Sequence, residues 1–216
     1  MKINILSITS KDLIKGVYKK NLPEYYELEE IVENNPWHLN QNVLKHSIAV
    51  FKGLEKVFKL DFAKKSTKTK LKKYLQEKIG KHTRKELLII ATLFHDIAKT
   101  KTFTKDSAGN TKCIAHEIVG SLMVSNFSNR FDLDKVGEKY VEKMVLFHGF
   151  TNDILSLIIE KSDELTYFNY FKKAADDVCK ELLLLMYADI LGSDVKKAMP
   201  QVYKERLELI TKLLNM

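Results

Sequence analysis

Apolar residues recur along most of this chain at helical rather than alternating spacing, and the elements follow from that period. Leu87–Lys99, LLIIATLFHDIAK, is the most apolar early stretch and is apolar nearly all round, which predicts a buried helix. Eleven or more residues without Gly or Pro favour helix over strand there. Ser10 is placed to cap a helix over Lys11–Lys20, and Leu22-Pro23 opens a second over Glu24–Glu33 that ends at the breaker Asn34-Asn35-Pro36. Val43, Val50, Leu54 and Val57 form one stripe of a third helix from about Asn40 to Lys59. Further helices are expected over Lys64–Lys85, His116–Phe127, Leu133–Phe147 (stopped by Gly149), Asn152–Ile159, Leu165–Phe171, Asp176–Leu191 and Gln201–Leu214. Thr100–Thr111 is polar and carries Gly109-Asn110, a turn signal, so it reads as a surface loop or short hairpin.

Composition agrees with an all-α fold. Three prolines and eight glycines in 216 residues leave few breaks, and 45% hydrophobic residues suffice for a sizeable core. Cys113 and Cys179 are far apart, so neither a disulfide framework nor a cysteine zinc cluster is suggested. No apolar stretch reaches about 18 residues, and the run in MKINILSITSK is too short for a signal peptide. A cytoplasmic protein with no membrane association is expected. The net charge of +8 favours an anionic partner, such as a nucleotide, a nucleic acid or a phosphorylated metabolite. Ten Lys or Arg against one acid in Lys64–Lys85 form either the solvated face of a connecting helix or a patch for RNA. Nothing in the pattern sets an oligomeric state.

Polar residues placed inside these apolar helices carry the chemistry. His46, His95, Asp96, His116, His148 and Asp189 each lie within or at the end of one. A lone histidine there is an ordinary core residue, but Asp189 inside LLLLMYADIL would be a costly unpaired carboxylate. Together they point to a shared metal site. Imidazole with carboxylate suits Fe, Mn, Zn, Co or Ni, whereas Mg prefers oxygen ligands alone. In a continuous helix Lys99 would return to the face of His95, free to contact a phosphate or to pair with Asp96. Glu117 follows His116 and either orients a ligand or serves as a first-turn acid. Trp37-His38 suggests packing at a helix entrance, and His82 in its basic surroundings is expected at the surface.

The order His46, His95-Asp96, Asp189 resembles the HD superfamily of metal-dependent phosphohydrolases. The likeness extends through Leu22-Pro23-Glu24 with Leu28, Trp37-His38, Asn42 to His46, Ile97-Ala98-Lys99, Thr102-Phe103, His116-Glu117 with Gly120, His148, and Ala188-Asp189 with Gly192. In order, that series looks like the HD domain of bacterial tRNA nucleotidyltransferases. Strand-borne carboxylates of a nucleotidyltransferase head are missing, so CCA addition is not implied, and the module is expected to stand alone. The resemblance implies one HD-type helical bundle over 1–216 with its metal site in the core. The parts are an extension over 1–21, the HD region over 22–192 and a C-terminal helix over 193–216.

It also implies hydrolysis of phosphomonoesters or phosphodiesters of nucleotides or RNA ends, including 2′-phosphates and 2′,3′-cyclic phosphates. His46, His95, Asp96 and Asp189 would hold one divalent transition metal. Asp96 would bridge to a second ion at His116 and His148; with one ion those histidines would bind the phosphate or donate a proton. Asp96 and Lys99 are the expected catalytic residues, and Lys99, His116 and His148 the substrate-binding ones. A non-catalytic RNA-binding module and a di-iron oxygenase are the alternatives.

Overall fold

The computed structural model describes residues 2–216. Thr9, rather than Ser10, caps the first helix, accepting a hydrogen bond from Asp12 N. This α1 (Ser10–Ile14) is a single short piece, and the chain turns at Gly16 with φ of 71°. Pro23 sits in the first turn of α2 (Pro23–Glu27), as expected for a residue that has no N–H to satisfy. The predicted helix over Glu24–Glu33 does not continue, however. It tightens into a 3-10 turn at Leu28–Glu30 and gives way to β1 (Val32–Asn35), which pairs antiparallel with β2 (His38–Asn42). Asn34-Asn35-Pro36 is thus the tip of a hairpin.

Asn42 ends β2 and caps α3 (Val43–Val57) by accepting from Lys45 N, which starts the helix three residues later than its apolar stripe suggested. The basic stretch is likewise divided. α4 (Lys65–Leu75) is followed by a tight hairpin of β3 (Lys78–Ile79) and β4 (His82–Thr83), turned at Gly80 with φ of 60°. The hairpin turns His82 inward, so it is buried rather than at the surface. Thr83 and Glu86 then form a reciprocal capping box that opens α5 (Arg84–Phe94).

α5 stops one residue before the histidine. His95 to Ala98 form a tight turn, with Ile97 N donating to Phe94 O and Lys99 N donating to Asp96 O. Lys99 opens α6 (Lys99–Thr102) and therefore does not share the face of His95. The polar segment after it is a hairpin, β5 (Phe103–Lys105) with β6 (Thr111–Cys113), turned at Gly109.

α7 (His116–Ser128) follows Ala115, whose φ of 60° aims His116 back into the molecule. α8 (Lys135–Lys161) is one continuous helix of 27 residues, so Gly149 does not end it and Asn152–Ile159 is its second half. Gly149 has a different use: a Cβ there would collide with the carboxylate of Glu117 on α7. The chain closes with α9 (Glu164–Ala175), α10 (Cys179–Gly192), α11 (Val195–Ala198) and α12 (Pro200–Leu214).

The core is all-α; the three ribbons are two-stranded and peripheral. Every residue of Leu87–Phe94 is buried, as are Leu182–Met186 of α10. Burial of this kind contributes roughly 1.5–3 kcal/mol per large side chain. α3 and α10 pack closely, because Gly53 faces the backbone of α10 at Ala188 and Gly192 faces that of α3 at Val50. A Cβ on Gly53 would lie 2.7 Å from Ala188 O, and one on Gly192 would lie 2.5 Å from Val50 N. Gly120 plays the same part between α7 and α8, where its Cβ would press on Val145 at 3.1 Å. No described helix is long and apolar enough to cross a membrane.

Candidate metal centre

All six residues expected to act together do meet, at the centre of this bundle. The α3–α10 contact brings His46 Nε2 to 3.1 Å from Asp189 Oδ1. The turn after α5 supplies His95 and Asp96, the first residue of α7 supplies His116, and the middle of α8 supplies His148. Two clusters result, His46–His95–Asp189 and Asp96–His116–His148, each with its donor atoms within 4.8 Å of one another.

Asp96 lies between them. Its Oδ2 faces His46 Nε2 at 3.5 Å and His95 Nε2 at 3.4 Å, while its Oδ1 faces His116 Nε2 at 3.3 Å and His148 Nε2 at 3.7 Å. One carboxylate thus presents one oxygen to each cluster.

Backbone carbonyls fix three of the imidazoles. His95 Nδ1 donates to Thr92 O (2.8 Å), His116 Nδ1 to Cys113 O (2.8 Å) and His148 Nδ1 to Val145 O (2.6 Å). With the proton held on Nδ1, each ring offers the lone pair of Nε2, the form a metal ligand requires. Glu117 Oε2 adds a second contact to His116 Nδ1 at 3.2 Å, which is the orienting role open to it from its position.

Electrostatics favour the neutral ring at His95 and ionised carboxylates at Asp96 and Asp189, whereas at His46 and His116 the neighbouring carboxylates favour the protonated ring. Burial pushes the His95 imidazole down to about 4, so it is neutral. Burial would raise the carboxyl of Asp96, but the Lys99 ammonium and the surrounding imidazoles outweigh it and hold the group well below the usual range. At Asp189 burial is likewise outweighed, by the hydrogen bond and charge of His46. Burial lowers His46 and His116, yet Asp189 and Asp96 respectively raise them above the ordinary histidine value.

An unpartnered atom tests whether a metal fits. His95 Nε2 is buried without a hydrogen-bond partner, although most buried polar side-chain atoms have one, and Asp96 Oδ2 has the Lys99 ammonium at 3.0 Å beside it. Two buried His/Asp clusters of mixed nitrogen and oxygen donors, one of them with an unpartnered imidazole nitrogen, are positioned to chelate divalent transition-metal ions.

Lys99 is buried and pairs with Asp96 Oδ2 (3.0 Å) and with Glu33 Oε2 (2.7 Å). These two carboxylates outweigh burial and raise its pKa. Glu33 has no distinguishing mark in the sequence, where it closes an expected helix; in the fold it lies on β1 and is buried. His38 is also part of the surroundings, packed edge-on against His46 with ring centroids 4.6 Å apart and with Nδ1 bonded to Gln41 Oε1 at 2.6 Å. A cleft of about 200 Å³ opens onto the centre. Asp96, Lys99, His116, His148 and Asp189 line it, together with Trp37 and Asn152.

A family model described as HD domain matches residues 43–194, a span that contains all six clustered residues. No curated protein matches the chain.

Proposed function

The chain belongs to the HD-domain superfamily of metal-dependent phosphohydrolases, and from that premise we propose that it cleaves phosphomonoester or phosphodiester bonds of nucleotides or RNA ends. The observation that carries this reading is the placement of Asp96, one oxygen toward each imidazole pair at the floor of a cleft. His46, His95, Asp96 and Asp189 would hold one divalent ion, and Asp96, His116 and His148 a second. Ions bound there supply water of lowered pKa and offset the charge that builds on phosphorus.

The chain's own groups do the rest. Lys99 holds the Asp96 carboxylate in place between the two clusters and, as part of the cleft wall, would give a phosphate oxygen a cationic neighbour. Glu117 keeps the His116 ring aimed inward. RNA ends, 2′-phosphates and 2′,3′-cyclic phosphates enter the proposal through the likeness to the HD module of bacterial tRNA nucleotidyltransferases, and the excess positive charge of the chain is consistent with such anions. A cytosolic setting is part of the same proposal.

Hydrolysis of bis-p-nitrophenyl phosphate and of a nucleotide panel by the metal-loaded protein tests the reading. Turnover should appear and should fall by more than about 100-fold in His95→Ala, with helicity by circular dichroism retained. Inactivity across metals and esters, or full turnover in His95→Ala, would contradict it. Oxygen consumption in place of hydrolysis would move the reaction to oxidation.

A further inference from the structure

Trp37 lines the cleft from the hairpin between β1 and β2, and it is the only tryptophan in the chain. Its backbone is pinned on both sides: the amide N donates to Asn35 Oδ1 (2.9 Å), and its carbonyl accepts from Asp194 N (3.1 Å). Arg206 of α12 lies over the indole with its guanidinium carbon 4.9 Å from the ring centroid. Arg206 is itself buried and held by α8, donating to Asn152 Oδ1 (2.5 Å) and Ser156 Oγ (2.7 Å). It does not line the cleft, whereas Trp37 does. Trp37 is therefore stacked against a guanidinium that α8 holds in place, and the residue stays half-exposed at the cleft. A ring already held in place loses little freedom when something stacks on it. Trp37 and Arg206 both lie outside the span 43–194 that matches the family.

Asn152 extends this wall. An arginine can only donate, so the oxygen of the Asn152 amide faces Arg206, and its NH2 group is left as a donor at the cleft. Next to it, the exposed carboxylate of Asp153 is an acceptor.

Charge sets the other half of the specificity. Among the described residues, Lys99 is the only lysine or arginine lining the cleft, and it already serves two carboxylates. Away from the metal clusters the lining charges are Glu117 and Asp153, both acidic. One phosphoryl group can be met at the centre, but the further phosphates of a di- or triphosphate would face carboxylates. A volume of about 200 Å³ also holds less than a drug-sized ligand, so a leaving group must lie partly against the wall at the mouth.

We propose that Trp37, backed by Arg206, is the platform on which the aromatic base of a nucleoside leaving group stacks, and that the cleft selects esters with one phosphoryl group, the class of nucleoside monophosphates. This rests on the phosphohydrolase reading above. Since Trp37 is the sole tryptophan, its fluorescence reports occupancy of the platform without any need for turnover. Zinc-loaded protein titrated with adenosine monophosphate, adenosine triphosphate, glycerol phosphate and inorganic phosphate should show strongest quenching with the monophosphate. It should bind about tenfold more tightly than glycerol phosphate, a typical effect of stacking a base on an aromatic side chain. Trp37→Leu should lower the ratio of kcat/KM for adenosine monophosphate over glycerol phosphate by a similar factor, and Trp37→Phe should restore most of it. Equal quenching by aromatic and non-aromatic phosphates, or an unchanged ratio in Trp37→Leu, overturns the platform. Tighter binding of the triphosphate overturns the one-phosphoryl selection. Aromatic-selective quenching in a protein that hydrolyses no ester would uphold the platform and remove the reaction.

Discussion

Asp96 has almost no contact with solvent, yet an ammonium and four imidazoles surround it, and its carboxylate stays ionised as a result. Lys99 is the charge that makes this tolerable, and it is shared with Glu33. Replacing it by Met leaves two buried carboxylates facing each other without a cation. Breaking a buried pair in this way costs about 3–5 kcal/mol. Lys99→Met should therefore lower the denaturation midpoint of metal-free protein sharply, and Glu33→Gln added to it should recover part of the loss. A Lys99→Met protein as stable as wild type would show that the pairing is not structural. The six ligand candidates were legible in sequence because imidazoles and carboxylates are costly to bury in apolar helices unless they are paired or hold a metal. Glu33 was not, since its partner lies 66 positions along the chain and nothing local marks it as buried.

Helix packing sets the separation of the donors. His46 and Asp189 meet because Gly53 and Gly192 let α3 and α10 touch along their backbones. Gly192→Ala would put a methyl 2.5 Å from Val50 N, which the helices can relieve only by moving apart. Overpacking of this kind costs about 1–3 kcal/mol. Weaker binding of a divalent metal, measured by competition with a chromophoric chelator, should accompany the loss, since His46 and Asp189 lie in the same contact. Unaltered metal affinity in a folded Gly192→Ala protein would separate the packing from the site. The apolar period located α3, α5, α10 and α12, but not the ends and interruptions. Gly149 read as a stop and proved to make room for Glu117, and Lys64–Lys85 read as one helix although Gly80 turns it into a hairpin. In each case a glycine has a use, a close approach or a positive φ, that spacing alone does not separate from a helix end.

The molecule has two polar interiors joined by α10. At one end Glu181, fully buried, accepts from Tyr140 OH (2.6 Å), Tyr74 OH (2.7 Å) and Arg84 Nη1 (3.1 Å). Eight residues on, about 12 Å along the helix, Asp189 enters the metal centre. The first interior ties the basic α4 and the start of α5 to the bundle; its members come from separate elements, so the sequence showed Arg84 only as one cation among ten. The second is the candidate metal centre, where the proposal turns on the claim that Asp96 joins two ion-binding clusters. Elemental analysis of protein purified without chelator tests that claim most directly. Wild type should retain close to two transition-metal ions per chain, one for each cluster, and the double variant His116→Ala/His148→Ala close to one, held by His46, His95, Asp96 and Asp189. Wild-type protein with no transition metal, or a double variant with the full wild-type content, would contradict it.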